Sequence, residues 1–104
     1  MLFYNAPNPA PTPRRVRIFL AEKGIAVPMQ DISIMGGELK SDAFLAVNPL
    51  GQVPALKLDS GEVFQETVSI CRYFEALHPT PPMFGTDPLE MARIDMWIRR
   101  VELR

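Results

Sequence analysis

Cysteine is nearly absent: Cys71 stands alone among 104 residues. That excludes an intrachain disulfide, a Cys-x-x-Cys redox pair and a cysteine-rich zinc site. Histidine is as scarce, His78 being the only one, so a metal centre would lack its commonest ligand. An excess of positive charge is missing too. The 11 Lys and Arg stand against 12 Asp and Glu, a net charge of -1, and no basic stripe exists to meet a phosphate backbone. Nucleic acid is therefore not an expected partner. No apolar run approaches the roughly 18 residues of a membrane span. Met1 leads directly into Leu2-Phe3-Tyr4, without the charged region or small-residue cleavage site of a targeting peptide. These absences set the expectation of a cytoplasmic protein with no membrane partner, no metal and no tightly held cofactor.

Hydrophobic residues are plentiful at 47%, which excludes a disordered tail and suits one compact domain. Proline is also plentiful. Its 11 copies fall mostly in residues 7–13, 49–54 and 79–88, where they punctuate the chain. Leu2-Phe3-Tyr4 reads as a buried strand closed by Asn5 and the proline-rich stretch that follows. Thr12 is placed as an N-cap and Pro13 as the first residue of a helix over about 13 to 23, with Val16, Phe19 and Leu20 on its apolar face and Gly24 as its stop. Val27 to Ile34 suits an edge strand, because Pro28 cannot donate to a ladder. Ser41 to Val47 forms a short amphipathic helix, and Val53 to Leu58 pairs with Glu62-Val63-Phe64 as a hairpin. A helix follows over Glu66 to Leu77, then a linker marked by Pro79, Pro81, Pro82 and Pro88. From Leu89 a last periodic set, Met91, Ile94, Trp97, Ile98 and Val101, is still running at Arg104, and a longer reading frame is expected to continue it.

A strand–helix–strand unit followed by a hairpin and a helix describes an α/β sandwich of the thioredoxin type with a mixed four-stranded sheet. Residues 1–78 form that domain in this reading, 79–88 the linker, and 89–104 the first helix of an all-helical domain.

Three places offer chemistry. The first helix N-terminus of such a fold gathers free backbone N–H groups and a positive dipole end, which stabilise an anion or thiolate. A dithiol enzyme would carry its cysteines there, but the residues are Ala10-Pro11-Thr12-Pro13, so any sulfur must arrive with the ligand. At Gln52-Val53-Pro54 a proline opens a strand. A cis bond there would turn the Val53 main chain outward to pair with an extended peptide, and a trans bond would merely start the strand. At Gln65-Glu66-Thr67, a carboxylate, a hydroxyl and a helix N-terminus either hold an amino-acid head group or simply cap the helix.

Together these features resemble the N-terminal domain of the cytosolic glutathione transferase family. The matching text is Arg14 through Ile25 (RRVRIFLAEKGI), Asn48 through Leu56 (NPLGQVPAL) and Glu66 through Phe74 (ETVSICRYF). The resemblance implies a glutathione site in which Pro54 is cis and Val53 pairs with the cysteinyl backbone. Glu66 and Thr67 would hold the γ-glutamyl end, Thr67 standing where the family more often has serine. Gln52 and Lys40 are the candidates for the glycyl carboxylate.

Departures from the family pattern are equally informative. Serine-type and cysteine-type members carry their catalytic residue four positions before the Arg14 equivalent, and that position here is Ala10, which has no hydrogen to donate. Tyr4 lies within the strand, too early for a tyrosine-type residue, and reads as packed core. Thr12 has a hydroxyl in the right loop and is the candidate catalytic residue, with helix capping as its alternative role. The chain is most similar to atypical members, including a fungal type, that activate glutathione through a water held by polar residues. The residues carrying that likeness are the loop up to Arg17, Asp87 to Glu90, and Arg100 to Glu102, and further polar partners are expected beyond Arg104. Cys71 reads as a small buried hydrophobe, and Asp95, Arg99, Arg100 and Glu102 as a solvated face or an approach to a partner subunit.

The resemblance implies a cytoplasmic, dimeric detoxification enzyme with glutathione as co-substrate, its thiolate attacking a small electrophile. The alternative is a non-catalytic glutathione-binding or protein-interaction module, for which Ala10 speaks.

Overall fold

Four strands make one sheet, in which the first strand lies between the second and the third and the fourth pairs with the third. The computed structural model describes residues 1–6, 11–34 and 36–103. Strand β1 (Leu2–Asn5) leads through helix α1 (Pro11–Lys23) to β2 (Met29–Asp31), which lies parallel to β1. A single 3-10 turn (Glu38–Lys40) and the short helix α2 (Asp42–Val47) come next. The hairpin of β3 (Ala55–Lys57) and β4 (Val63–Gln65) then adds two antiparallel strands. Helix α3 (Thr67–Leu77) and helix α4 (Pro88–Leu103) complete the chain. This is the mixed sheet and element order expected from the sequence.

Helix α1 begins two residues earlier than the sequence suggests. Pro11 opens it, so Thr12 is its second residue and not the cap, and Pro13 its third. Proline is tolerated throughout a first turn because those N–H groups have no intrahelical acceptor. Pro13, Val16, Phe19, Leu20 and Lys23 share the buried face, and the Lys23 ammonium lies 5.7 Å from the Phe19 ring centroid. Gly24, at φ 69, ends the helix. Ile25 N–H reaches the Leu20 carbonyl at 2.9 Å and Gly24 N–H the Ala21 carbonyl at 3.1 Å, a Schellman closure.

Strand β2 is an edge strand, as Pro28 indicates, but pairs over Met29–Asp31 only, shorter than the expected 27–34. Ile32 leaves it to join Tyr4, Phe44 and Ala55 in a buried cluster, which ends the strand by pulling the chain under the sheet. Beyond it, Glu38 Oε1 accepts the Ser33 N–H at 2.8 Å and closes the turn. Tyr4 meets Phe44 edge to face at 5.7 Å, so it is core, as its place in the strand implies. Phe3 and Leu56 are register partners on the opposite face, both fully buried, as are Val16 of α1 and Ile70 of α3.

Two compact units divide the chain, Met1–Cys71 and Arg72–Arg104. Cys71 is buried in the first. In the second, the Glu75 carboxylate accepts the N–H groups of Met83 and Phe84, each at 3.1 Å, and the Arg72 guanidinium covers the Phe84 ring at 4.6 Å. Asp95 binds Arg72 at 3.1 Å and Arg99 at 3.0 Å. Asp87 caps α4 by accepting the Glu90 N–H at 2.8 Å, with Pro88 in the first helical position. Leu89, Trp97, Val101 and Leu103 are exposed on α4. Among the described residues no helix is long and apolar enough to cross a membrane.

Candidate functional site

Three segments of the chain meet at one open cleft of about 430 Å³ in the first unit. The start of α1 contributes Pro11 and Thr12, the approach to β3 contributes Gln52, Val53 and Pro54, and the β4–α3 junction contributes Gln65, Glu66 and Thr67. Ile34 and Leu39 form an apolar wall. Of the residues proposed from sequence, Thr12, Gln52, Val53, Pro54, Glu66 and Thr67 are thus brought together. Lys40 is not. It ends the 3-10 turn, is exposed, and directs its Nζ to the Leu50 carbonyl at 3.4 Å. Ala10 lies outside the described residues.

The Val53–Pro54 bond is cis, one of the two forms the sequence left open. Its approach is held by Asn48, a fully buried side chain whose Nδ2 donates to the Gln52 carbonyl at 2.9 Å while its Oδ1 accepts the Leu50 N–H at 3.1 Å. Gly51 makes that turn at φ 62, where an added Cβ would sit 2.8 Å from the Leu39 carbonyl oxygen. The sequence reading names Asn48 only as the head of the NPLGQVPAL stretch and misses this role. The signal was present in Asn-Pro-Leu-Gly, where a polar side chain precedes a tight turn whose inward N–H and C=O groups need partners.

Glu66 occupies the left-handed region at φ 71, rare for a residue with a side chain and characteristic of functional positions. It directly precedes α3, and its carbonyl accepts the Ile70 N–H at 3.0 Å. Thr67 does not cap the helix with its hydroxyl, which donates to the Thr12 carbonyl at 3.4 Å. The Thr12 hydroxyl donates in turn to the Val53 carbonyl at 3.3 Å. Capping, the alternative role of both threonines, gives way to bonds that tie the three segments together.

Behind the cleft, Arg17 Nη1 donates to Asn5 Oδ1 at 2.7 Å and to the Ala6 carbonyl at 2.9 Å, and Asn5 Nδ2 donates to Asp31 Oδ1 at 2.8 Å. The guanidinium on α1 thereby fixes the exit of β1. Among the described residues, no group of three or more His, Cys, Asp or Glu converges to hold a metal.

A four-stranded mixed sheet whose third strand follows a proline, with that proline and the start of the first helix lining one cleft, is the thioredoxin-like arrangement. Within it, residues 10–77 match the model of the glutathione S-transferase N-terminal domain, and the chain belongs to that family. It is 43% identical to Glutathione S-transferase 2 of Saccharomyces cerevisiae over 99% of this chain and 45% of that protein. It is 42% identical to a maleylacetoacetate isomerase of Pseudomonas aeruginosa over 76% of this chain and 38% of that one. The crystal structure of Gtt2 from Saccharomyces cerevisiae superposes with a TM-score of 0.89 at 43% identity, covering 99% of this chain and 50% of that one. The chain spans half or less of the length of these relatives, and its likeness to a fungal protein agrees with the likeness read from its motifs.

Proposed function

We propose that the cleft binds glutathione and that the chain is the glutathione-binding half of a transferase joining the glutathione thiol to small electrophiles. One observation carries the reading: Val53 at the approach to β3 and the Glu66–Thr67 start of α3 line the same cleft. Val53 offers main-chain pairing to the cysteinyl residue. Glu66 and Thr67 offer a carboxylate, a hydroxyl and a helix end to the γ-glutamyl ammonium and carboxylate. Gln52 serves the glycyl carboxylate, and Lys40 joins it if its side chain leaves the Leu50 carbonyl. Glutathione is a co-substrate here, and the reaction calls for no resident cofactor.

The bound thiol loses its proton to become the nucleophile, and the site lowers its pKa from about 8.5 by aiming donors at the sulfur. Each unit of depression is worth about 1.4 kcal/mol of preference for the thiolate. The donors are the backbone at the start of α1 and either an ordered water or the Thr12 hydroxyl, which joins it if its one proton leaves the Val53 carbonyl. Residues 1–78 form the binding domain, 79–88 the linker and 89–104 the start of a helical domain that builds most of the electrophile pocket. A cytoplasmic homodimer in detoxification is the setting the family suggests.

The second reading is a glutathione-binding module without turnover, favoured by Ala10 in place of a thiol-activating residue. Calorimetric titration with glutathione between pH 6 and 9, in buffers of different ionisation enthalpy, separates the two. Binding with proton release below the free thiol's pKa supports the transferase. Binding without release supports the module, and absence of binding removes both.

A further inference from the structure

We propose that Thr12 is a positioning residue that couples the two ends of the cleft. Its hydroxyl donates to the Val53 carbonyl at 3.3 Å, and its own carbonyl accepts from the Thr67 hydroxyl at 3.4 Å. One residue therefore touches both the cis-peptide edge and the first residue of α3, which are remote from it in sequence. Both bonds are long beside the usual 2.7–2.8 Å or so of a hydroxyl donor to oxygen. A bond of that length is readily tightened or displaced by a ligand group.

Donor arithmetic gives the coupling its direction. Thr67 is 6% exposed, and its hydroxyl has one proton, now committed to the Thr12 carbonyl. A carboxylate arriving at Glu66–Thr67 draws on that proton and frees the Thr12 carbonyl. At the other end, the Val53 carbonyl has two lone pairs, one taken by Thr12 and one left for the N–H of an extended ligand. Whatever shifts Thr12 shifts the Val53 acceptor. The same linkage acts in reverse, because coupling between two binding events is reciprocal. This inference rests on the glutathione reading and deepens it: the γ-glutamyl end and the cysteinyl backbone bind cooperatively, and Thr12 carries the cooperativity.

The test takes the full chain and its variants Thr12→Val, Thr12→Ser, Thr67→Val and the Thr12→Val/Thr67→Val pair. Each is titrated with glutathione by calorimetry and unfolded thermally without ligand. Thr12→Val is expected to weaken glutathione binding about fivefold, the loss of one hydrogen bond of ordinary worth. Thr12→Ser, which keeps the hydroxyl, restores it, and the pair loses less than the product of its single losses. A Thr12→Val protein that binds as tightly as the wild type overturns the inference. So does a Thr12→Ser protein as impaired as Thr12→Val, and so do losses that multiply. If the wild-type chain binds no glutathione, the glutathione reading fails on its own, and the cooperative role of Thr12 in binding it falls too. The unliganded unfolding cycle then decides whether Thr12 and Thr67 are coupled at all, and strictly additive shifts would remove that as well.

Discussion

The buried amide of Asn48 donates to the carbonyl of Gln52, the residue before the cis Val53–Pro54 pair, at a distance of 2.9 Å. A side chain with no direct part in the cleft thus sets the height of the strand edge that faces it. Asn48→Ala leaves the Gln52 carbonyl and the Leu50 N–H without these partners inside the fold. The expected cost is about 2–3 kcal/mol in denaturant unfolding, with weaker glutathione binding alongside.

Gly51 tests the same turn by a different route. Gly51→Ala asks an L side chain to adopt φ 62 and to place its Cβ 2.8 Å from the Leu39 carbonyl oxygen. Destabilisation of at least about 1–2 kcal/mol is expected, read as a lower denaturant midpoint with an unchanged slope.

Glu66 should separate stability from binding. Its left-handed backbone at φ 71 is relieved in Glu66→Gly, which is expected to gain up to about 1 kcal/mol of unfolding free energy. The same change removes the carboxylate proposed to meet the ligand ammonium, so glutathione affinity should fall. A variant that loses both, or gains both, would contradict the division of roles described above.

The Asp59 carboxyl is held below its ordinary value of 3.8 by a hydrogen bond from the Met1 ammonium and then by its charge. A carboxyl depressed in the folded state contributes stability above its unfolded pKa and loses it as pH falls through the folded value. The window therefore lies below about pH 4. Asp59→Asn should flatten the acid limb of a thermal-midpoint profile there by a small amount, because the pair is solvent-exposed, and should leave neutral pH nearly unchanged.

The elements were legible wherever local chemistry decides them. Val16, Phe19 and Leu20 at helical spacing, with Gly24 past the end, gave α1, and Pro28 marked β2 as an edge. The start of α1 was misplaced because Thr12 followed by Pro13 looks like a cap and a first residue, whereas Pro11 serves equally well two residues earlier. Strand β2 read too long because Ile32 is apolar in either state, and only the buried cluster with Tyr4 and Phe44 shows that it turns inward. At the cleft, residue types gave the roster but not the bonds. The strained backbone of Glu66 and the destination of the Thr67 hydroxyl depend on segments far apart in sequence, which no local pattern records.

The first three residues of α1 are Pro11, Thr12 and Pro13, and prolines carry no N–H. A helix start that would ordinarily present a fan of backbone donors therefore has, at these positions, the Thr12 amide alone. An anion resting there is offered one direction of approach, so the helix selects its position more strictly than it can neutralise it. The remaining stabilisation has to come from side chains, water or the rest of the polypeptide, which makes a short anion such as a thiolate a better match for this end than a phosphate that needs several donors at once.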